Sequence, residues 1–215
     1  MKELIEFLLK NFSLTFLCLG LAVSAGSLLR RPRPLSKATI ADKLLSDYIL
    51  YAVGLMYLYN FVVHTVFAET SAAFIGWANS PFQYEVGYAS LGFGVAAILA
   101  HRSNLNARLV AVVGPSLFLW GAAVGHVHEI YARKNFSPGN AGVVLWTDVF
   151  LPLIGFALLY FCYSQRVGKG LARVPTNQRG CGLEPRCAGV DVRLHCGACG
   201  AVRRLAILIR QESSS

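Results

Sequence analysis

Five long stretches of this sequence are nearly free of charged residues, and each is long enough to cross a lipid bilayer. A helix spans the hydrocarbon core with about 20 mostly apolar residues. The stretches are residues 8–29, 45–67, 82–100, 109–131 and 142–164. Only 14% of the chain is charged and 55% is hydrophobic, whereas a soluble domain carries about 25% charged residues. The sequence therefore predicts an all-α fold, a polytopic transmembrane bundle of five helices.

Basic residues in the loops predict how these helices are oriented. The loop after the first segment reads RRPRPLSK, and Arg102 and Arg108 follow the third segment. Lys and Arg collect on the cytoplasmic side of membrane proteins, so these loops are expected inside. Residues 68–81 hold no Lys or Arg and are expected outside, although Arg133 and Lys134 go against the pattern. We predict an N-out, C-in, multi-pass protein of the cell inner membrane, with the lipid bilayer as its partner.

The net charge of +9 does not indicate a nucleic-acid-binding protein. Residues 166–215 hold nine Lys or Arg and three Asp or Glu, and the rest of the excess lies largely in short loops beside apolar segments. No nucleic-acid-binding module is recognisable. We therefore expect a transmembrane helical domain over residues 1–165, a basic cytoplasmic tail over residues 166–215, and no nucleic-acid partner.

Four of the six cysteines lie in this tail, at Cys181, Cys187, Cys196 and Cys199. The last two have the C-x-x-C spacing typical of zinc sites, whereas the first two are separated by five residues, which is wider than usual. Two interpretations stay open: a small zinc-binding knuckle, or a disordered basic tail with incidental cysteines.

Four ionisable residues, each from a different predicted helix, lie at nearly one depth in the outer half of the membrane. They are His64, Glu85, His126 and Asp148. An ionisable side chain within a membrane is energetically costly, and it usually faces the protein interior with a partner. The four are therefore expected to converge in one buried polar cluster. Asn60, one turn before the first histidine, and Gln83, near the glutamate, are expected to extend it.

Two parts of the sequence carry these residues at matching intervals. His64 and Glu85 are 21 residues apart, and His126 and Asp148 are 22 residues apart. A Ser-Pro pair lies in between in both cases, Ser80-Pro81 and Ser137-Pro138. Because the two hairpins run in the same direction through the membrane, a parallel duplication is one interpretation of the match.

Small residues are expected to permit the close helix packing that such a cluster needs. Gly121 and Gly125 have the G-x-x-x-G spacing of closely packed membrane helices. Gly87, Ser90 and Gly94 share one face of the third predicted helix and are expected to play the same part.

Three interpretations of the cluster stay open. It could be structural or bind a small ligand, in a protein of unknown activity. Two imidazoles and two carboxylates also suit a zinc or iron ion, which would make the chain a metal-dependent membrane enzyme. The same side chains could relay protons in a proton-coupled or small-solute transporter. Five helices make a small transporter, so a homo-oligomer would then be needed. No soluble-enzyme motif, such as a P-loop, decides among the three.

The most specific run in the sequence is FIGWANSPFQYEVGYASLGFG, residues 74–94. Together with LYNFVVH, FLWGAAVGH and NFSPGNAGVVLWTDVFLPLIGF, it resembles an uncharacterised family of small bacterial and archaeal integral-membrane proteins. The resemblance covers roughly residues 10–165. It implies a polytopic membrane protein and implies no activity, and the tail is not part of the pattern.

Overall fold

The structure, a computed structural model, describes residue 3, residues 7–8 and residues 10–172, with side chains up to residue 166. Across this part of the chain every regular element is helical, which confirms the all-α class. The helices are α1 (Phe12–Leu29), α2 (Lys37–Asp47), a π-helix (Tyr48–Leu55), α3 (Met56–Thr65), α4 (Ala68–Ile75), α5 (Phe82–Ala100), α6 (Leu105–Arg133), α7 (Pro138–Ala141) and α8 (Val143–Ala172). The four tail cysteines, and with them the predicted zinc knuckle, lie outside the described residues.

Several helical stretches are long and apolar enough to cross a membrane. Within the described residues there are four, Phe12–Leu29, Lys37–Thr65, Leu105–Arg133 and Pro138–Arg166. The second of them, called the second span below, joins α2, the π-helix and α3. The remaining predicted segment, residues 82–100, coincides with α5. α5 is not among the four because Gln83 and Glu85 in its first turns make it less apolar. A membrane helical bundle with four candidate spans is supported, and a fifth span stays a prediction.

Local sequence signals explain where several helices begin. The Ser36 side chain accepts a hydrogen bond from the backbone N–H of Thr39 at 3.1 Å at the start of α2. Asn104 does the same for α6 by accepting from the N–H of Ala107 at 3.0 Å. Such caps satisfy donors that the first helical turn leaves free. The far end of α8 was less well predicted, because this helix continues to Ala172, past the expected end at residue 164.

The second span lies at the centre of the described bundle. It packs against α1, α5, α6 and α8. Leu45, Ile49 and Tyr57, spread along its length, are fully buried. The π-helix Tyr48–Leu55 occupies its middle, where a wider turn changes which side chains face the neighbouring helices. The hydrophobic core of the protein is therefore organised around this span.

Two buried tyrosines join the second span to the two helices that contain proline. Pro115 lies inside α6 and Pro152 inside α8. The Tyr57 hydroxyl donates to the carbonyl oxygen of Pro115 at 3.0 Å, and the Tyr48 hydroxyl donates to that of Leu151 at 2.7 Å. The tyrosines thus attach α6 and α8 to the second span beside the two prolines.

Small residues on α5 allow it to pack closely on the second span. Gly87, Ser90 and Gly94 lie buried on one face of α5, as predicted. A Cβ atom added at Gly94 would lie 2.9 Å from Leu58 Cδ2 and 3.0 Å from the carbonyl oxygen of Gly54. The backbone atom cannot move aside easily, so the close approach of these two helices requires glycine at this position.

The predicted close packing at Gly121 and Gly125 is wrong. A Cβ atom added at Gly121 would meet no described atom within 4 Å, and one added at Gly125 would reach only Trp77, at 3.9 Å. The buried face of α6 instead carries Pro115 and His126, among other residues. The G-x-x-x-G pair lies off that face, so its spacing alone did not identify the packed surface.

The ends of the helices gather polar side chains into two sets at opposite ends of the bundle. One set, the basic end, is a group of cations that line one cavity: Arg31, Lys43, Arg102, Arg108 and Arg166. The other, the histidine end, holds His64 and His126 together with the short helices α4 and α7. The candidate site residues predicted from sequence belong to the histidine end.

Candidate functional site

The four ionisable residues predicted to converge do not form one cluster. His126 and Asp148 are buried and face each other, with Nε2 and Oδ2 3.6 Å apart. His64 bonds instead to Gln83, and Glu85 is exposed. The expected four-residue cluster is therefore replaced by two separate histidine sites.

Helix geometry explains why Glu85 is not part of either site. Gln83 and Gly87 lie on the buried face of α5. At 3.6 residues per turn, a residue two positions from Gln83 points about 200° away around the helix axis. The depth of Glu85 in the membrane was predicted from its position in the sequence. The direction in which its carboxylate points depends on which face of α5 packs against the other helices.

Asn140, in the short helix α7, holds the imidazole of His126. Its Oδ1 lies 2.8 Å from His126 Nδ1, and its Nδ2 donates to the carbonyl oxygens of His126 at 3.2 Å and Asn135 at 2.9 Å. A carbonyl can only accept, so the two carbonyls fix the orientation of the amide. Oδ1 of Asn140 then faces the imidazole and can only accept. His126 Nδ1 must therefore carry a proton and donate it to Oδ1.

This arrangement makes the other ring nitrogen of His126 the atom that can gain or lose a proton. Nε2 faces the buried carboxyl of Asp148. An isolated charge at a buried position is unfavourable, so the carboxyl and the imidazole hold one proton between them. Either the imidazole is charged beside a carboxylate, or both groups are neutral. Trp77 lies beside the ring, with centroids 5.5 Å apart, and helps to cover the site.

Asn135 extends the network to the preceding loop. Its Nδ2 donates to the carbonyl oxygens of Ile75 at 3.0 Å and Gly76 at 3.3 Å, at the end of α4. Its Oδ1 accepts from the backbone N–H of Ser137 at 3.1 Å. We call Asn135, Asn140, His126 and Asp148 the asparagine clamp, because the two asparagines connect the loops to each other and to His126 on α6, which faces Asp148 on α8.

His64 forms a second site that resembles the first. Its Nδ1 lies 2.7 Å from Oε1 of Gln83, which is buried near the start of α5. The Nε2 atom of Gln83 has no hydrogen-bond partner among the described residues. In both sites a histidine on a long helix bonds to the amide side chain of a residue at or just before the start of the next long helix.

The sequence contains a signal for this correspondence that our prediction did not use. Gln83 ends the run Ser-Pro-Phe-Gln and Asn140 ends the run Ser-Pro-Gly-Asn. Each run places an amide side chain two residues after proline, and each amide bonds to the histidine of the preceding long helix. Aligning the two Ser-Pro pairs would have identified Asn140, and the shared geometry supports the interpretation of a parallel duplication.

Asn60 makes a separate contact with α5. Its Nδ2 donates to Ser90 Oγ at 2.9 Å, and that hydroxyl donates to the carbonyl oxygen of Val86 at 2.7 Å. Asn60 and His64 thus bond to α5 at two positions, two turns apart, and both attach the second span to it. Asn60 is a helix–helix link rather than part of a histidine–carboxylate cluster.

The predicted metal ligands are not assembled into a metal site. In the region that the structure covers, no three His, Cys, Asp or Glu side chains lie close enough together to hold a metal ion. Glu85 is exposed, and His64 and His126 bond to two different amides in separate sites. Within the described residues, these four side chains therefore do not form the ligand set of a zinc or iron ion.

Comparison with known proteins identifies the family but no activity. No curated protein matches this chain. No solved structure matches it either. A family profile does match residues 10–167, which include every helix that carries the two histidine sites. The chain therefore belongs to the family of unknown function DUF6790.

Proposed function

We propose that this chain is a multi-pass protein of the cell inner membrane, with five crossings, whose asparagine clamp has a structural role. The clamp fixes the loops at the histidine end onto the membrane helices and thereby maintains the arrangement of the bundle. One observation carries this proposal: the side chain of Asn140 is 0% exposed, its Oδ1 accepts from His126, and its Nδ2 donates to the carbonyl oxygens of His126 and Asn135.

The distribution of charge supports an N-out, C-in orientation. Arg31, Arg102 and Arg166 belong to the basic end, and Lys and Arg near membrane helices favour the cytoplasm. With the basic end inside, the asparagine clamp lies in the outer leaflet. Arg133 and Lys134 go against this pattern at the histidine end, where Glu129 offsets the charge of Arg133 at 3.5 Å.

The position of α5 supports a fifth crossing. α5 packs against the second span and α6. Its first turn carries Gln83 at the histidine end, and His101, directly after its last residue, lines the cavity at the basic end. A helix of 19 residues is about 28 Å long, which is close to the thickness of the hydrocarbon core, about 30 Å.

Replacing Asn140 tests the structural role. Asn140→Ala removes the acceptor of His126 Nδ1 and two donated hydrogen bonds, and a buried donor without a partner costs about 1–3 kcal/mol. We expect the unfolding free energy of the purified protein in detergent to fall by about that amount. Asn106→Ala is the matched control, because Asn106 is an exposed asparagine on α6. Equal stability of the two variants would contradict a structural role for the clamp.

A proton-coupled transporter is the second candidate, and the His126–Asp148 pair favours it. A buried imidazole and carboxyl that hold one proton have the chemistry of a proton relay. Proteoliposomes with an imposed pH gradient distinguish the candidates. The structural role predicts that the wild type and Asp148→Asn leak protons equally slowly. Faster flux in the wild type that is lost in the variant would establish the transporter and remove the purely structural interpretation.

A further inference from the structure

A cavity of about 680 Å³ lies at the basic end. It is lined by the start of the first loop, the start of the second span, the turn between α5 and α6, and the last turns of α8 with described side chains. Arg31, Lys43, Arg102, Arg108 and Arg166 face it together with two carboxylates, Asp42 and Asp47. With His101 counted as neutral, five positive and two negative charges leave the lining with a net charge of +3.

Both carboxylates of the lining already have cationic partners. Asp47 is buried and accepts hydrogen bonds from Lys43 Nζ at 2.8 Å and Ser24 Oγ at 2.6 Å. Asp42 accepts from Arg108 Nη1 at 2.8 Å. Within the described residues, the positive charges of Arg31, Arg102 and Arg166 are therefore not offset by a carboxylate. Mutual repulsion of these charges favours an anion in the cavity.

Arg108 is the feature that distinguishes this cavity from an ordinary basic surface. Its side chain is 6% exposed, whereas its partner Asp42 is 57% exposed. Its Nε is buried without a hydrogen-bond partner among the described residues. A guanidinium group has five N–H donors, and an unsatisfied buried donor is unfavourable. Arg108 lines the cavity and its buried guanidinium is not fully satisfied, so this arginine is suited to bind an oxyanion there.

The chemistry of the lining suits an oxyanion such as phosphate. Arginine binds phosphate through paired N–H donors in a planar fork, and several arginines surround this cavity. Thr39 and Ser46 add hydroxyl groups to the same lining. The volume is far larger than a single inorganic ion needs, so the phosphate is expected to belong to an organic molecule.

We propose that the cavity at the basic end binds a phosphate-bearing organic anion, with Arg108 as its buried anchor and Arg102 and Arg166 as its exposed contacts. The proposal is independent of the asparagine clamp, which lies at the histidine end. Because the cavity lies where the membrane helices end, the phosphate could belong to an anionic phospholipid headgroup or to a soluble metabolite.

Two arms of one experiment distinguish these sources. For the soluble arm, the protein is placed in nanodiscs of phosphatidylcholine, and binding of glycerol 3-phosphate is measured by calorimetry. For the lipid arm, it is purified from mixed phosphatidylcholine and phosphatidylglycerol, and the retained phosphatidylglycerol is counted by native mass spectrometry. The test variant is Arg102→Gln with Arg166→Gln, since both residues are exposed and their replacement spares the buried Arg108–Asp42 pair.

Arg133→Gln is the matched control, because it removes an exposed arginine from the opposite end of the bundle. We expect the double variant to weaken binding at least about tenfold in one of the two arms, since each charge-assisted hydrogen bond contributes about a tenfold factor. The control should stay within about twofold of the wild type on the same scale. Loss in the soluble arm identifies a metabolite, and loss in the lipid arm identifies a headgroup. Absence of binding in both arms, or equal binding by the double variant and the control, overturns the proposal.

Discussion

The side chain of Asn140 bonds to His126 at two atoms, the ring Nδ1 at 2.8 Å and the backbone carbonyl oxygen at 3.2 Å. This double contact attaches the short helix α7 to the end of α6 and leaves Nε2 of the imidazole to face Asp148. One buried amide thereby decides both the tautomer of a histidine and the position of a loop.

The protonation of His126 can be observed directly. Because Asn140 Oδ1 accepts from Nδ1, we expect a proton on Nδ1 in the ¹⁵N NMR spectrum of histidine-labelled protein, with the signal assigned by its loss in His126→Gln. His101 is an internal reference, since its Nδ1 bonds to the carbonyl oxygen of Ile98 at 2.5 Å and must also carry a proton. An unprotonated Nδ1 on His126 would rule out the hydrogen-bond arrangement of the clamp.

Substitutions of Asp148 should depend on whether the new side chain keeps a polar group next to Nε2 of His126. Asparagine has nearly the same shape and can donate to a neutral Nε2, so Asp148→Asn should change the unfolding free energy by less than about 1 kcal/mol. Asp148→Ala leaves Nε2 without a buried partner and should cost about 1–3 kcal/mol. Chemical unfolding in detergent measures both. If the two variants were equally stable, the contact between the imidazole and residue 148 would contribute nothing.

Two glycines in membrane helices should respond oppositely to the same substitution. Gly94→Ala brings a methyl group against Leu58 and the Gly54 backbone and should destabilise the protein by about 1–3 kcal/mol. Gly121→Ala meets open space and replaces a poor helix former, so it should be neutral or stabilising by up to about 1 kcal/mol. Thermal unfolding of the two variants checks this. A loss at Gly121 as large as that at Gly94 would show that the G-x-x-x-G face is packed after all.

Cysteine labelling can decide whether α5 crosses the membrane. Ala78 precedes α5 and Asn106 follows it, and both are exposed. With the native cysteines replaced by serine, Ala78→Cys should react with an impermeant maleimide in intact cells. Asn106→Cys should react only after the cells are opened. Reaction of both positions from the same side would show that α5 does not cross.

Much of the helical architecture was predictable because membrane helices have a strong local signal. Segments nearly free of charged residues located the long helices, and Ser36 is a residue type that often caps the start of a helix, as it does for α2. The faces of the helices were harder to predict, since the face that packs depends on neighbours distant in sequence. Glu85 was predicted to face the bundle interior, and it points outward from α5 instead. Gly87 and Gly94 were correctly predicted to lie on the packed face, because they repeat along one side of the helix.

The candidate site was predictable only in part, for a related reason. His126 and Asp148 were expected to meet because each needs a partner in a medium without water. Asn140 lies in a loop helix of four residues, and no periodic pattern predicts such an element. Gln83 was expected to extend a cluster and instead binds His64 alone. Depth along the membrane does not reveal which of several polar groups lie next to each other.

Hydrogen exchange at the loop of residues 134–142 tests the structural role of the asparagine clamp most directly. In this loop the N–H groups of Asn140 and Ala141 donate to the carbonyl oxygen of Ser137, and the N–H of Ser137 donates to Asn135 Oδ1. The clamp predicts that Asn140→Ala speeds exchange of these amides at least about tenfold, because the loop opens more often. Asn106→Ala should exchange like the wild type. Unchanged protection of this loop in Asn140→Ala would contradict the clamp as the element that holds the histidine end together.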